Sequence, residues 1–216
     1  MPFAISVVGR SNVGKTTLLE KLVRELKRRG CDLATIKHVA SDFDLDHPGK
    51  DSWRLAKAGS DTVVLSSPRE VALMRPVTRE ATPEELLHLI GEGFDLILIE
   101  GFKNSNLPKI EVHRKELGGL LTSPEELLAL VTDERLDIAV PQFSPGEVEA
   151  LADLLEKKSL AWRGTDDVLL TVNGTPISLN PFVKRILGNT LLGMVSPLSG
   201  AEEVTSLRIS LQRGHS

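Results

Sequence analysis

The chain has 216 residues, 41% apolar and 26% charged, with a formal net charge of −4 and a single cysteine. That length buries one full core and a small second unit, and the balance is that of a soluble globular protein. It excludes a global basic field for nucleic acid or anionic membrane, an internal disulfide framework and a paired-cysteine zinc site. No apolar run approaches the ~18 residues that span a bilayer, and no basic-apolar-small succession marks a secretory leader, so a cytoplasmic chain is expected.

Phe3 to Val8 is a short apolar, β-branched run and reads as a buried strand. Gly9-Arg10-Ser11-Asn12-Val13-Gly14-Lys15-Thr16 follows and fits G-x-x-x-x-G-K-[ST]. Leu18, Leu19, Leu22, Val23 and Leu26 then recur at helical spacing up to a stop at Gly30. Strand, loop and helix together are the setting in which backbone N–H groups converge on a phosphate. Gly9 and Gly14 allow close backbone approach. Asn12, Val13 and Thr17 complete the nucleotide-binding stretch. Lys15 is expected at the β- and γ-phosphates and Thr16 at Mg²⁺. The motif does not choose the base.

Cys31 to His38 reads as a second strand, giving a parallel βαβ unit whose functional edge carries Lys37 and His38. Residues 41–52 form a polar loop with Asp42, Asp44 and Asp46 spaced two apart. A calcium loop starting at Asp42 would need Gly at 47 and Glu at 53, where His47 and Trp53 stand. A loop that meets Mg²⁺ or the γ-phosphate fits better; a solvated acidic turn is the plainer alternative. Asp51 to Ala58 is a short helix. Thr62 to Ser66 and Val71 to Met74 read as a hairpin, expected to extend the parallel sheet. Pro83 opens a helix over 84–90.

Asp95 to Glu100 is a continuous apolar run bounded by acids, the pattern of a central strand. Five steps of ~3.3 Å separate the two carboxylates by about 16 Å. Phosphates gather at the carboxyl ends of strands, so Glu100 is the metal-side candidate and Asp95 a strand-start residue. Lys103, in the next loop, either touches nucleotide or substrate or is a solvated lysine. Strands are expected over 109–113, 129–133 and 138–140, and a helix over 146–157. The sequence lacks N-K-x-D. Asp133, at a carboxyl edge, either accepts from guanine N1 and N2 or caps its own loop. Residues 161–165 read as a linker between a phosphate-loop domain over 1–160 and a small α+β module over 165–216. In that module a hairpin turns at Asn173-Gly174, a helix spans 181–192 and a last strand covers 207–211.

Five pieces together resemble one family, the molybdopterin-guanine dinucleotide biosynthesis protein B (MobB) family: GKTTLLEKL (14–22), IKH (36–38), DFDLDHPGKDSWRLAKAGS (42–60), DLILIEGFK (95–103) and PKIEV (108–112). The tail is similar to the C-terminal extension of longer members. The resemblance implies an α/β P-loop NTPase fold, a mostly parallel twisted sheet flanked by helices. It also implies GTP and Mg²⁺ as ligands, weak GTP hydrolysis and a homodimer. The partner it implies is the GMP-attaching enzyme MobA, a molybdenum cofactor guanylyltransferase, with molybdopterin and the molybdenum insertion protein as further candidates. Nucleic acid and membrane are not expected partners. Carried across residue by residue, Lys15 and Thr16 take the phosphate and metal positions and Glu100 the EGFK acid. Asp46, Gly49, Lys50 and Asp51 fall in the loop facing the active site. Lys15, Glu100 and Asp46 form the implied catalytic set, with Lys37, His38, Asp44 and Lys103 beside it. Ser41 stands where members often carry another histidine. No arginine is assignable as a finger, so slow turnover is expected. A small-molecule kinase and a nucleotide-gated binding module are the alternatives.

Overall fold

The computed structural model describes residues 2–41, 43, 46–91, 93–163, 168, 170–173, 175–177, 179–199, 204, 207 and 209. The chain opens with β1 (Phe3–Val8), α1 (Lys15–Arg28) and β2 (Leu33–Lys37). Then come α2 (Asp51–Lys57), β3 (Val63–Ser66), β4 (Val71–Met74), α3 (Pro83–Ile90) and β5 (Leu96–Glu100). It continues through β6 (Lys109–Val112), β7 (Leu127–Val131), β8 (Gln142–Phe143) and α4 (Val148–Arg163). β9 (Leu170–Val172), β10 (Thr175–Ile177) and α5 (Pro181–Val195) follow.

Six strands form one parallel sheet in the order β2-β5-β1-β6-β7-β8. β5 and β1 lie inside it, and their apolar residues are buried on both faces, as a parallel sheet covered by helices requires. On one face Ile5, Val7, Leu98, Ile110 and Val131 pack against Leu18, Leu22 and Leu26 of α1 and Leu151 and Leu155 of α4. On the other, Ala4, Ile97 and Ile99 pack against Leu87 of α3. Thr82 and Glu85 form a reciprocal capping box at the start of α3, with Pro83 in its first turn. Arg29, at the end of α1, ties that helix to α4 through Asp153 and Glu156, both at 2.6 Å. Those two acids and Glu25 raise the Arg29 pKa, Glu156 foremost.

Four expectations need correction. β3 and β4 pair antiparallel but form a separate two-stranded sheet instead of extending the main one. The hairpin satisfies its ladder internally around a turn in which Ser67 accepts the N–H groups of Arg69 and Glu70. The strand read over 129–133 lies at Leu127–Val131 and stops short of Asp133. Residues 138–140 are not a strand: the Gln142 side chain accepts the Leu136 N–H at 2.9 Å and donates to its carbonyl at 2.7 Å, holding that stretch as a loop, and the strand falls at Gln142–Phe143. Finally, α4 runs through Ala161–Arg163, read from sequence as linker. Its last turns have real packing, because the Ser159 hydroxyl donates to the Asp95 carbonyl at 2.6 Å and Trp162 lies against Phe3. The hairpin around residue 173 is present as β9 and β10. Of the strand read over 207–211, residues 208, 210 and 211 lie outside the described residues.

Candidate functional site

The carboxyl ends of β1, β2 and β5 meet at one place, with Val7 and Lys37 both in register with Glu100. The loop leaving β1 depends on its glycines. Gly9 has φ +146° and a Cβ there would fall 2.5 Å from the Val112 carbonyl, so β6 leaves no room for a side chain. Gly14, at φ +104°, is the N-cap of α1 and provides no side-chain cap, so the first-turn N–H groups have no side-chain acceptor. Asn12 also has positive φ, and Val13 is buried in the core and anchors the loop. Lys15 Nζ donates to the carbonyls of Gly9 at 3.0 Å and Arg10 at 2.8 Å, which holds the ammonium over the loop. Thr16 and Thr17 are exposed in the first turn of the helix.

Thr16 Oγ1 donates to Glu100 Oε2 at 2.9 Å, and Lys37 Nζ lies 3.8 Å from the same oxygen. A hydroxyl and a carboxylate in contact beside a phosphate loop are the hard-oxygen pair that Mg²⁺ takes when phosphates and water complete its shell. The residues therefore fit that ion. Asp95, at the other end of the strand, accepts the Asp32 N–H at 2.8 Å, a role at the start of β5 as the strand geometry predicts.

Glu100 leads into Gly101 and Phe102, both at positive φ. A Cβ on Gly101 would sit 2.8 Å from the His38 Cβ. His38 packs on the Phe102 ring at a centroid distance of 4.3 Å, and its Nε2 is hydrogen-bonded to Glu80. A cleft of about 550 Å³ opens here, with Lys15, Ser11, His38, Glu80, Lys103 and Leu121 among its walls. The structure thus brings Gly9, Lys15, His38 and Lys103 to one cleft, beside the Thr16–Glu100 contact.

Among the described residues of the 41–52 loop, none borders that cleft. Asp44 lies outside the described residues. Asp46 Oδ1 accepts the His47 N–H at 2.9 Å, and its Oδ2 is buried without a hydrogen-bond partner among the described residues. Gly49 has φ +94°, Lys50 is the N-cap of α2, and Asp51 is an exposed first-turn residue paired with Arg54 at 3.3 Å. None of these four borders the cleft. Asp133 Oδ1 accepts the N–H of Lys115, in the loop after β6, at 3.0 Å, and that bond above all lowers the pKa of the carboxyl.

Sequence reasoning missed the polar face of β6. Lys109, Glu111 and His113 alternate with Ile110 and Val112, and all three are buried. Lys109 donates to the Ser105 carbonyl and to Glu126, both at 2.7 Å. Glu111 accepts the N–H groups of Leu121 at 2.7 Å and Thr122 at 2.9 Å, which fixes the segment carrying the Leu121 wall. His113 meets Glu134 at 3.0 Å. The available signal was the strict charged-apolar alternation of KIEVH, which placed inside a parallel sheet means buried, paired charges.

The family profile described as molybdopterin guanine dinucleotide synthesis protein B, MobB, matches residues 4–133. The chain belongs to that family. The Haemophilus influenzae molybdopterin-guanine dinucleotide biosynthesis adapter protein is 36% identical over 154 residues, 70% of this chain and 86% of the relative. The Escherichia coli protein of the same name is 39% identical over 157 residues, 67% of this chain and 86% of the relative. A Methanocaldococcus jannaschii protein named for the same adapter role is 25% identical over 96% of both chains, so its match extends into the tail. Among solved structures, Bacillus subtilis MobB superposes with a TM-score of 0.58 at 26% identity, covering 73% of this chain and 98% of that one. A crystal structure of molybdopterin-guanine biosynthesis protein B gives 0.55 at 29% identity, covering 73% and 99%. These MobB neighbours share the parallel-sheet fold described above, a P-loop NTPase-like α/β architecture.

Proposed function

We propose that this MobB-family chain is an adapter of molybdopterin-guanine dinucleotide biosynthesis that binds GTP at its phosphate loop and assists the MobA-like guanylyltransferase that attaches GMP to molybdopterin. The observation that carries this reading is the Thr16–Glu100 hydrogen bond of 2.9 Å at the mouth of a glycine loop. It sets the metal-side hydroxyl against the strand-end carboxylate in a chain of this family. The glycine-loop amides and Lys15 would bind the phosphates. Thr16 and Glu100 would hold Mg²⁺, which when bound neutralises phosphate charge. Lys37 balances Glu100 before a cation arrives. Hydrolysis is expected to be weak, because Asp46 does not border the cleft and, among the described residues, no arginine does.

Two further elements belong to the reading. The β3–β4 hairpin exposes Val64, Val71 and Leu73 on one face, a surface suited to pairing two copies of the chain. Sedimentation is expected to give a homodimer, and Val71→Lys with Leu73→Lys a monomer; a monomeric parent chain would remove dimerisation from the account. The cleft beside Lys15 is where a second small ligand would enter, with molybdopterin the candidate. The function is tested by reconstituted GMP transfer to molybdopterin with the guanylyltransferase. The parent chain with GTP and Mg²⁺ should raise the yield and Lys15→Ala should not. Equal yields with and without the protein would refute the adapter reading.

A further inference from the structure

One cation beside the phosphate loop is left without a role by this account. Arg114 follows His113 at the carboxyl end of β6, and its Nη2 lies 3.7 Å from where a Cβ on Gly14 would sit. The guanidinium therefore rests against the residue at which the loop becomes helix α1. Its other terminal nitrogen, Nη1, is 3.7 Å from Asp133 Oδ2, beyond hydrogen-bond length, and the side chain is 28% exposed. Among the described residues it has no nearer polar side-chain partner. The contrast within the same protein is plain: Arg28 and Arg29 place their N–H groups on carboxylates at 2.6 to 2.9 Å.

Asp133 cannot turn to close the gap, because its Oδ1 is committed to the Lys115 N–H. A fixed carboxylate thus holds a guanidinium near the loop while leaving its fork of donors unspent. β6 borders β1 on the side opposite β5. The Thr16–Glu100 pair serves the β5 side, so Arg114 approaches from the flank that a cation there does not neutralise. It also takes no part in the cleft wall that includes Lys15 and Lys103, where the end of a phosphate chain would point.

We infer that Arg114 is a nucleotide-binding residue, a guanidinium that swings from Asp133 onto the non-terminal phosphates, the part common to nucleoside diphosphates and triphosphates. The inference rests on the reading of residues 9–16 as a nucleotide site. Two charge-assisted N–H donors aimed at phosphate oxygens are the usual means by which arginine contributes such affinity.

The test is calorimetric titration of the full chain with GDP and with GTP in Mg²⁺, for the parent and for Arg114→Gln, Arg114→Lys and Lys15→Ala. Arg114→Gln should weaken both nucleotides alike, by about tenfold or more. Arg114→Lys should recover only part of the loss, since an ammonium cannot reproduce the fork. Thermal melting without nucleotide should match the parent. Parent-like affinity of Arg114→Gln for both nucleotides would overturn the inference. So would a loss confined to GTP, which would place the side chain at the terminal phosphate. If Lys15→Ala binds like the parent, or the parent binds neither nucleotide, the reading of the phosphate loop falls and the inference with it.

Discussion

Replacing Glu111 with glutamine tests how the cleft is built. The Glu111 carboxylate is 2% exposed and accepts two backbone N–H groups, from Leu121 at 2.7 Å and Thr122 at 2.9 Å. Glutamine keeps the shape but offers one oxygen to two donors and turns its NH₂ toward the second. One charge-assisted bond is lost and one buried donor is stranded, at a cost of about 3 kcal/mol. For a chain of this size that lowers Tm by about 6–12 °C. The weakening is local as well as global, because residues 115–122 lose their anchor to β6 and Leu121 loses its place in the cleft wall. Thermal denaturation followed by far-UV circular dichroism, with hydrogen exchange read over residues 115–126, measures both effects. Unchanged Tm together with unchanged exchange at Leu121 and Thr122 would refute the argument that a buried carboxylate holds this segment.

Gly101→Ala forces a side chain into a backbone at φ +106° with His38 Cβ 2.8 Å away. A destabilisation of about 1–3 kcal/mol is expected from the backbone strain alone, with displacement of the His38–Phe102 ring pair visible as shifted imidazole resonances; a variant as stable as the parent would show that the turn tolerates a Cβ. The Glu25 carboxyl is held at about 2, below its ordinary 4.5, by hydrogen bonds from Arg28 first and then Arg29. A depressed folded-state pKa contributes stability that is complete above the ordinary value and disappears as pH falls from about 4.5 toward 2. Arg28→Gln should therefore move the Glu25 titration upward and flatten the acid limb of the stability curve. A Glu25 midpoint near 4.5 in the parent, read by carboxyl NMR titration, would contradict this.

The strand, glycine loop and helix of residues 3–28 were legible in the sequence because their signals are local. Gly9 and Gly14 sit at fixed offsets, and the apolar run before them and the helical spacing after them need no knowledge of distant residues. The separation of Glu100, beside Thr16 at one end of β5, from Asp95 at the other was legible for a related reason, since one strand of known rise lies between them. What failed depended on particular side-chain contacts. Gln142 holds residues 136–140 out of a strand by reaching back to Leu136, and Ser159 and Trp162 extend α4 by packing against β5 and β1. Neither contact has a periodicity that a sequence window detects. The buried Lys109, Glu111 and His113 likewise look like an exposed face until the sheet order places β6 between β1 and β7.

The central claim is that residues 9–16 bind a guanine nucleotide. It is tested most directly by calorimetric titration of the parent chain with GTP and with ATP in Mg²⁺, with Lys15→Ala as the control. GTP binding that exceeds ATP binding and is lost in Lys15→Ala is the predicted result. Equal or stronger binding of ATP, or GTP binding that survives in Lys15→Ala, would contradict it.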